Sequence, residues 1–478
     1  MIAMMLHRRS VLAFCTALWA SAPGAVEAQT PGDTLVEAQP AAESAGLKAL
    51  KDALVPSPNG LTEEEVVQAA LVNSPAMKKS QIDAEKADVV QARAKLAFLP
   101  RVDLAARYTR ISDLDIRFGN TVLPQVLDQF ANQATLKMPI TELFLVIMPT
   151  YKGTELLSEV AEHQERAKQS SVAYDARAAF YDFIRAQGAL VVATDSIQVL
   201  DQSARDLEAL ASRGAATATD VIRARAALSR AQVMQAERQG IVEVSAVRLT
   251  RILGTDVDLK RGVAEPLVEF EPGPTPQAGD VVTSAFAQRH ELLALRSLQR
   301  AREKMTSAKR GGQWPVLSAM GNVYYSSPNP RIFPQTNEFR ETWDVGASLS
   351  WSPNDFMLAR SQAQDSETDL AQVAQDLRML EDAIAVEATM AVTSHRTARE
   401  RIEATTQNLE ANLRYMTEQQ NLLKAGAATL TNVLDAEAEL RRAQLEWVDA
   451  YVQARLATAA LIKARGETGL TRGPRSSR

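Results

Sequence analysis

The segment GAATATDVIRARAALSRAQ, residues 214–232, returns as GAATLTNVLDAEAELRRAQ, residues 426–444, with 12 of 19 positions identical and no gap. The offset of 212 holds from Gly214–Gly254 to Gly426–Gly466. Upstream, Val66 to Pro100 and Val281 to Pro315 both span 34 residues. A register kept over this distance marks an internal duplication with a period near 212 to 215. The fold must therefore be assembled from two copies of one unit.

Both copies read in the same order: helix, strand, strand, long helix, turn, helix. In the first, Thr62 precedes Glu65 in a capping-box pattern, and helix-compatible sequence runs to Phe98, interrupted by Pro75 and stopped by Pro100. RVDLAARYTR then alternates, with Val102, Leu104, Ala106 and Tyr108 on one face and Asp103, Ala105, Arg107 and Thr109 on the other. A second, poorer strand signal lies within 135–148, broken by Pro139. Two proline-free helices follow, about 154–211 and 218–252, turning at Gly214. The second copy predicts a helix over about 280–310, a strand at VLSAMGNVYY, a Pro-rich loop at 328–334, a strand at WDVGASLSW, and a proline-free stretch turning at Gly426.

A helix of about 57 residues is about 85 Å long at 1.5 Å per residue, which overshoots any compact core. Such helices must pack lengthwise on one another, and abundant Ala allows close approach. In WDVGASLSW, Trp343, Val345, Ala347, Leu349 and Trp351 face one way, while Asp344, Gly346, Ser348 and Ser350 face the other. Apolar-out, polar-in alternation with aromatics at both ends suits the wall of an outer-membrane barrel; a half-buried soluble sheet alternates the same way. Four strands cannot close a barrel, because single-chain barrels begin at about eight. Several chains would have to contribute.

The start of the chain bears on location. HRRSVLAFCTALWASAPGAVEAQ has a charged beginning, an apolar run and Val26-Glu27-Ala28 as a cleavage site, so residues 1–28 read as a signal peptide. Cys15, the only cysteine, falls inside it, and Phe14 spoils a lipoprotein box. After Ala28 no apolar run is long enough for a spanning helix, so a membrane would be crossed by strands. Residues 29–60 read as a flexible leader, 61–257 as the first repeat, 258–279 as a linker, 280–466 as the second repeat and 467–478 as a basic tail. The net charge of -5 offers no basic excess for nucleic acid.

The duplicated plan resembles the TolC-like outer membrane efflux factors over nearly everything from Leu61 to Gly466. NSPAM (73–77) and RHEL (289–292) resemble the Asn-Pro-x-Leu and Arg-Pro-x-Leu signals that open that family's two repeats. The Gly-x-x-Thr-x-x-Asp-Val turn stands at Gly214 to Val221 and, with Asn432 replacing Asp, at Gly426 to Val433. The resemblance implies an α+β membrane protein. Long helical hairpins would form a trimeric α-barrel, with four strands per chain in a 12-stranded transmembrane β-barrel. It further implies an exit duct in the outer membrane, extending into the periplasm, for tripartite efflux or type I secretion. A periplasmic adaptor and, through it, an inner-membrane pump would be the partners.

The same resemblance assigns the site residues. The hairpin tips that meet the adaptor would be Gly214, Thr217, Thr219, Gly426, Thr429 and Thr431, with Gly ending one helix in the left-handed conformation and Thr capping the next. The pore constriction would involve Asp435, Asn432 and Asp220. One acidic ring is kept at Asp435 and one neutralised at Asn432. Asp220 would be half of an Arg–Asp latch whose Arg position is Ala428 here, so that latch cannot form; an Asp in a first helical turn is also stabilised by the helix dipole. Tyr108, Trp343 and Trp351 would face the membrane.

Catalysis finds little support. His163, His290 and His395 are over 100 residues apart and read as solvated positions on helix faces; HELLA at 290 lacks a second His at metal-binding spacing. There is no phosphate-cradling Gly loop and no Gly-x-Ser-x-Gly elbow, and no metal or cofactor is expected. Asp and Glu read as charged helix faces. The alternative to a duct is a periplasmic coiled-coil adaptor, which shares the Ala-rich hairpins and acidic pI of about 5.7.

Overall fold

The computed structural model describes residues 60–113, 117–118, 121–122, 125–254, 263–264, 267 and 270–469. The expected signal peptide with Cys15, the leader up to residue 59 and the tail beyond residue 469 lie outside the described residues.

Thr62 caps helix α1 (Glu63–Asn73) through a capping box with Glu65. Ser74 is extended, and Pro75, which lacks an N–H, occupies the first turn of α2 (Pro75–Leu96). The expected single helix is therefore two. The second half breaks at the matching place: α5 (Ala278–Gln288) ends at extended Arg289, and α6 (His290–Gly311) starts at once. The sequence reading of one helix over 280–310 missed this break, which no proline announces.

Four strands form one antiparallel sheet in the order β1 (Arg101–Arg110), β4 (Asp128–Pro139), β5 (Val316–Ser327) and β6 (Arg340–Ser350). A small hairpin, β2 (Arg117–Phe118) with β3 (Thr121–Val122), lies between β1 and β4. The strand placed at 135–148 is corrected to Asp128–Pro139. The apolar run Leu143–Met148 does not alternate; it winds through a π-helical turn, Leu143–Ile147, into α3 (Met148–Ser212). Periodicity cannot separate a short apolar strand from a buried helix start.

Two hairpins carry the length: α3 with α4 (Ala218–Leu253), and α7 (Pro353–Lys424) with α8 (Leu430–Ala464). At 65 and 72 residues, α3 and α7 extend about 98 and 108 Å. Their inward positions recur three and four apart, as Ala193, Ser196, Leu200, Ser203 and Leu207 on α3 and Ile384, Ala388, Ala391, His395 and Ala398 on α7. That spacing keeps one seam facing a neighbouring helix. The largest core joins α1, α3, α4, α7 and α8 around Phe180, Tyr181, Leu249, Leu253 and Leu409, all almost fully buried. Trp447 is buried there too, and its indole N–H donates to Thr406 Oγ1 at 3.2 Å. Among the described residues no helix is long and apolar enough to cross a membrane.

Candidate pore and membrane wall

Residues directly opposite in an antiparallel sheet share a face, so the register sorts the wall. Val102 pairs with Leu136, Leu104 with Ala134 and Tyr108 with Phe130. Ala134 pairs with Val323, and Asn132 with Tyr325. Val323 pairs with Trp343, Gly321 with Val345 and Leu317 with Leu349. One continuous apolar face results, and it is bare: Leu104 is 80% exposed, Val345 77% and Trp343 72%. Burying none of this surface within the chain would be a large loss in water, but not against lipid.

The opposite face is polar and hydrogen-bonded both along β4 and across to β5 and β6. Gln133 Nε2 donates to Thr135 Oγ1 at 3.0 Å, Thr135 Oγ1 to Asn322 Oδ1 at 2.9 Å, and Asn322 Nδ2 to Asp344 Oδ1 at 2.8 Å. Arg331, from the loop between β5 and β6, closes the series on Asp344 at 2.5 Å and lies over the Tyr324 ring at 4.7 Å. Tyr324 thus belongs to the polar face, whereas Tyr325 belongs to the apolar one.

Aromatics mark both rims of the apolar face. Near the loops, Tyr108 and Phe130 rings are 5.0 Å apart, and Phe339 joins Phe130 at 6.0 Å and Tyr325 at 5.1 Å. Near the helices, Trp351 meets Phe356 at 6.3 Å. Tyr108, Trp343 and Trp351 all lie on the exposed face, where aromatic girdles of membrane barrels sit.

The two hairpin tips lie at the far ends of the long helices. Gly214 and Gly426 have φ of +74° and +72°, conformations that L side chains rarely adopt. In the first tip Thr217 is the N-cap: its Oγ accepts from the Asp220 N–H at 3.2 Å, and the Asp220 carboxylate accepts from the Thr217 N–H at 3.3 Å and hydroxyl at 2.6 Å. These bonds from the Thr217 hydroxyl and amide hold the Asp220 pKa below the usual carboxylate range. Arg225 ties the returning helix to Glu208 at 2.8 Å. In the second tip Thr429 is the cap, accepting from the Asn432 N–H at 3.4 Å and donating to Asn432 Oδ1 at 2.8 Å. Thr219 and Thr431 lie in the first helical turns, exposed, and cap neither helix.

Asp220 and Asn432 both accept the hydroxyl of their capping threonine, but only Asp220 completes a capping box by also taking the backbone N–H of its cap, Thr217. Asp435 is different: it is exposed on α8 one turn further on and has no hydrogen-bond or ion-pair partner among the described residues. Two residues later Glu437 turns inward, 6% exposed, and takes Arg441 at 2.8 Å and the Ser196 hydroxyl.

The reading of acids as solvated faces is thus corrected in part. Glu437 sits between α3 and α8; Arg177 is buried on Glu63, with Tyr181 also donating to Glu63 at 2.6 Å; Arg289 is buried between Glu291 and Glu387. The histidines are corrected as well. His395 is 3% exposed, bonded to Thr275 Oγ1 at 3.0 Å, and burial together with Arg399 and Arg465 pushes its pKa down. His163 and His290 meet across α3 and α6. Packing on two sides turns a helix face that would be wet in isolation into a seam, and no periodicity in one helix reveals its second neighbour.

Bare strands with an apolar outer and polar inner face, carried by helices about 100 Å long, define a class: ducts whose wall crosses a membrane and whose stem runs through the compartment below. The chain belongs to the outer membrane efflux protein family, whose model matches residues 66–255 and 281–467. It is 26% identical over 434 residues to protein CyaE of Bordetella pertussis, covering 85% of this chain and 84% of that one. Its fold matches the outer-membrane channel OprN with a TM-score of 0.73 at 16% identity, over 87% of this chain and 95% of that one. The CmeC outer membrane channel of Campylobacter jejuni matches with a TM-score of 0.73 at 16% identity, over 86% and 87%.

The protein is accordingly an outer membrane channel that extends into the periplasm, the exit duct of a tripartite efflux or secretion system. Channels of this family are trimeric and work with adaptors and pumps. Family and fold are those of transport channels, not enzymes, and the coiled-coil adaptor reading is set aside.

Proposed function

We propose that three copies of this chain close a barrel of twelve strands above a shared helical conduit, and that the four hydrogen-bonding strands with open edges carry this reading. β1 and β6 each have one unpaired edge among the described residues, and unpaired backbone cannot face lipid. The edge of one copy's β6 would pair with β1 of the next until the ring closes. Residues 61–257 and 280–466 would each supply one hairpin per copy, after removal of residues 1–28.

The tips, Gly214, Thr217 and Thr219 with Gly426, Thr429 and Thr431, would meet a periplasmic adaptor and, through it, an inner-membrane pump. Inside the entrance Asp435 would form a three-fold carboxylate ring, with Asn432 and Asp220 beside it as neutralised and cap-engaged members of the constriction. A ring of charges selects for counter-ions, so the duct would favour cations. The test is planar-bilayer conductance of detergent-purified protein beside Asp435→Asn. Discrete cation-selective steps, less selective in the variant, are expected. Unchanged reversal potentials would remove Asp435 from the pore, and a protein that never inserts would sink the duct.

A further inference from the structure

The RHEL motif makes His290 the first residue of α6, and α6 packs along α3 at His163. The two Nδ1 atoms are 3.3 Å apart, with ring centroids at 5.4 Å and planes inclined by 25°. Behind His163, Glu159 Oε1 lies 3.7 Å from Nε2. That carboxylate is fixed from the opposing helix, by the Ser297 hydroxyl at 3.0 Å and Arg300 at 2.9 Å.

The Glu159 charge lies beyond hydrogen-bond reach of Nε2 but on that side of the ring, and by charge alone favours the tautomer with its proton there, which leaves the His163 Nδ1 lone pair toward His290. Imidazole ligands that hold their other nitrogen against a carboxylate are the usual pattern around bound metals. The spacing also fits a shared ion. Two nitrogens at about 2.0–2.1 Å from a tetrahedral ion stand about 3.3–3.4 Å apart. The pair already has this separation. The surrounding charges are already paired: Arg166 with Glu162, Arg289 with Glu291.

We infer that His163 and His290 form a site for a divalent transition ion of the Zn²⁺ class, stapling the first repeat's long helix to the second repeat's α6. Imidazole nitrogens suit Zn²⁺, Cu²⁺ and Ni²⁺ and not the oxygen-preferring Mg²⁺ or Ca²⁺. Among the described residues no third His, Cys, Asp or Glu completes a cluster, so water fills the remaining positions, and the His163 side chain is 15% exposed to admit it. When the ion enters, the proton shared between the two Nδ1 atoms moves to His290 Nε2, so both lone pairs face the metal.

The test uses the full-length protein in detergent, stripped with a chelator and then titrated with ZnCl₂ by calorimetry at pH 7.5. One ion per chain is expected, with binding lost in His163→Gln and in His290→Gln and weakened about 10–100-fold in Glu159→Gln. Co²⁺ should show a visible band displaced from that of the aquo ion by two imidazole nitrogens in wild type and lose the displacement in either histidine variant. Size-exclusion elution and circular dichroism like wild type show that the variants are folded. Should a histidine variant lose its fold, the Glu159→Gln titration and the wild-type Co²⁺ spectrum carry the decision. No binding to wild type, or binding untouched by Glu159→Gln with a Co²⁺ band like that of the aquo ion, overturns the assignment and leaves the pair a plain imidazole hydrogen bond.

Discussion

Substituting Val345 by Arg tests whether the bare face of the sheet meets lipid. Val345 lies on the apolar side of β6, 77% exposed and opposite Gly321. It is six residues from Trp351 at the helix-side rim. At about 3.3 Å per residue and a strand tilt of about 40°, six residues climb about 15 Å, close to the middle of an apolar band about 25 Å tall. Arg at that depth costs about 2–4 kcal/mol per chain, or about 6–12 kcal/mol for three chains closing one barrel. The neighbouring Gly346 sits at nearly the same depth on the polar face, and a Cβ added there meets nothing within 4 Å. Gly346→Arg should therefore cost less than about 1 kcal/mol, since lumen-facing substitutions are not desolvated. The assay is folding into lipid vesicles over a urea series, read as the fraction of protease-protected barrel. Val345→Arg should shift the midpoint strongly to lower urea while Gly346→Arg stays near wild type. Equal losses in both variants, or a neutral Val345→Arg, would refute the assignment of faces.

Three further outcomes follow from single observations. Gly426→Val forces a β-branched residue into φ of +72° and should lower stability by about 1–2 kcal/mol, read as a fall in thermal midpoint. Arg177→Ala takes the buried guanidinium from beside Glu63, whose side chain is 24% exposed and keeps the Tyr181 hydrogen bond, so the loss should fall below the about 3–5 kcal/mol of a fully buried pair; Arg177→Met combined with Glu63→Gln should recover part of it in the same melt. For His395 the folded pKa is depressed, so the unfolded chain binds the proton first and stability falls as pH drops below about 6.5. Denaturation midpoints between pH 7.5 and 5.5 should fall in wild type and fall less in His395→Gln, and parallel slopes would remove His395 as the cause.

Both tips were readable because their requirements are local. Gly214 and Gly426 end helices by a backbone conformation that few other residues accept, and Thr217 and Thr429 cap by reaching three residues along their own chain. The faces of β1 and β6 were readable for the same reason, since strand alternation has a period of two whatever lies alongside. β4 was misplaced because its first half, DQFANQA, alternates weakly: its neighbours supply hydrogen bonds on both edges, so its side chains need not announce it. Of the candidate site, the cap role of Asp220 and Asn432 could be read in three-residue spacing, whereas the burial of Glu437, two residues past Asp435, could not.

The sequence by itself determined the duplication, read at an offset of 212, and the long hairpins, the turns and the two-sided strands, which depend on residues within a few positions of one another. Only the tertiary structure decided which helix faces became seams. It brought His163 to His290 over 127 positions, Arg177 to Glu63 over 114 and Ser196 to Glu437 over 241. A charged or titratable residue on a helix declares its face but not its neighbour, and what covers that face is set by how long helices align, which the sum of many small apolar contacts along both hairpins decides.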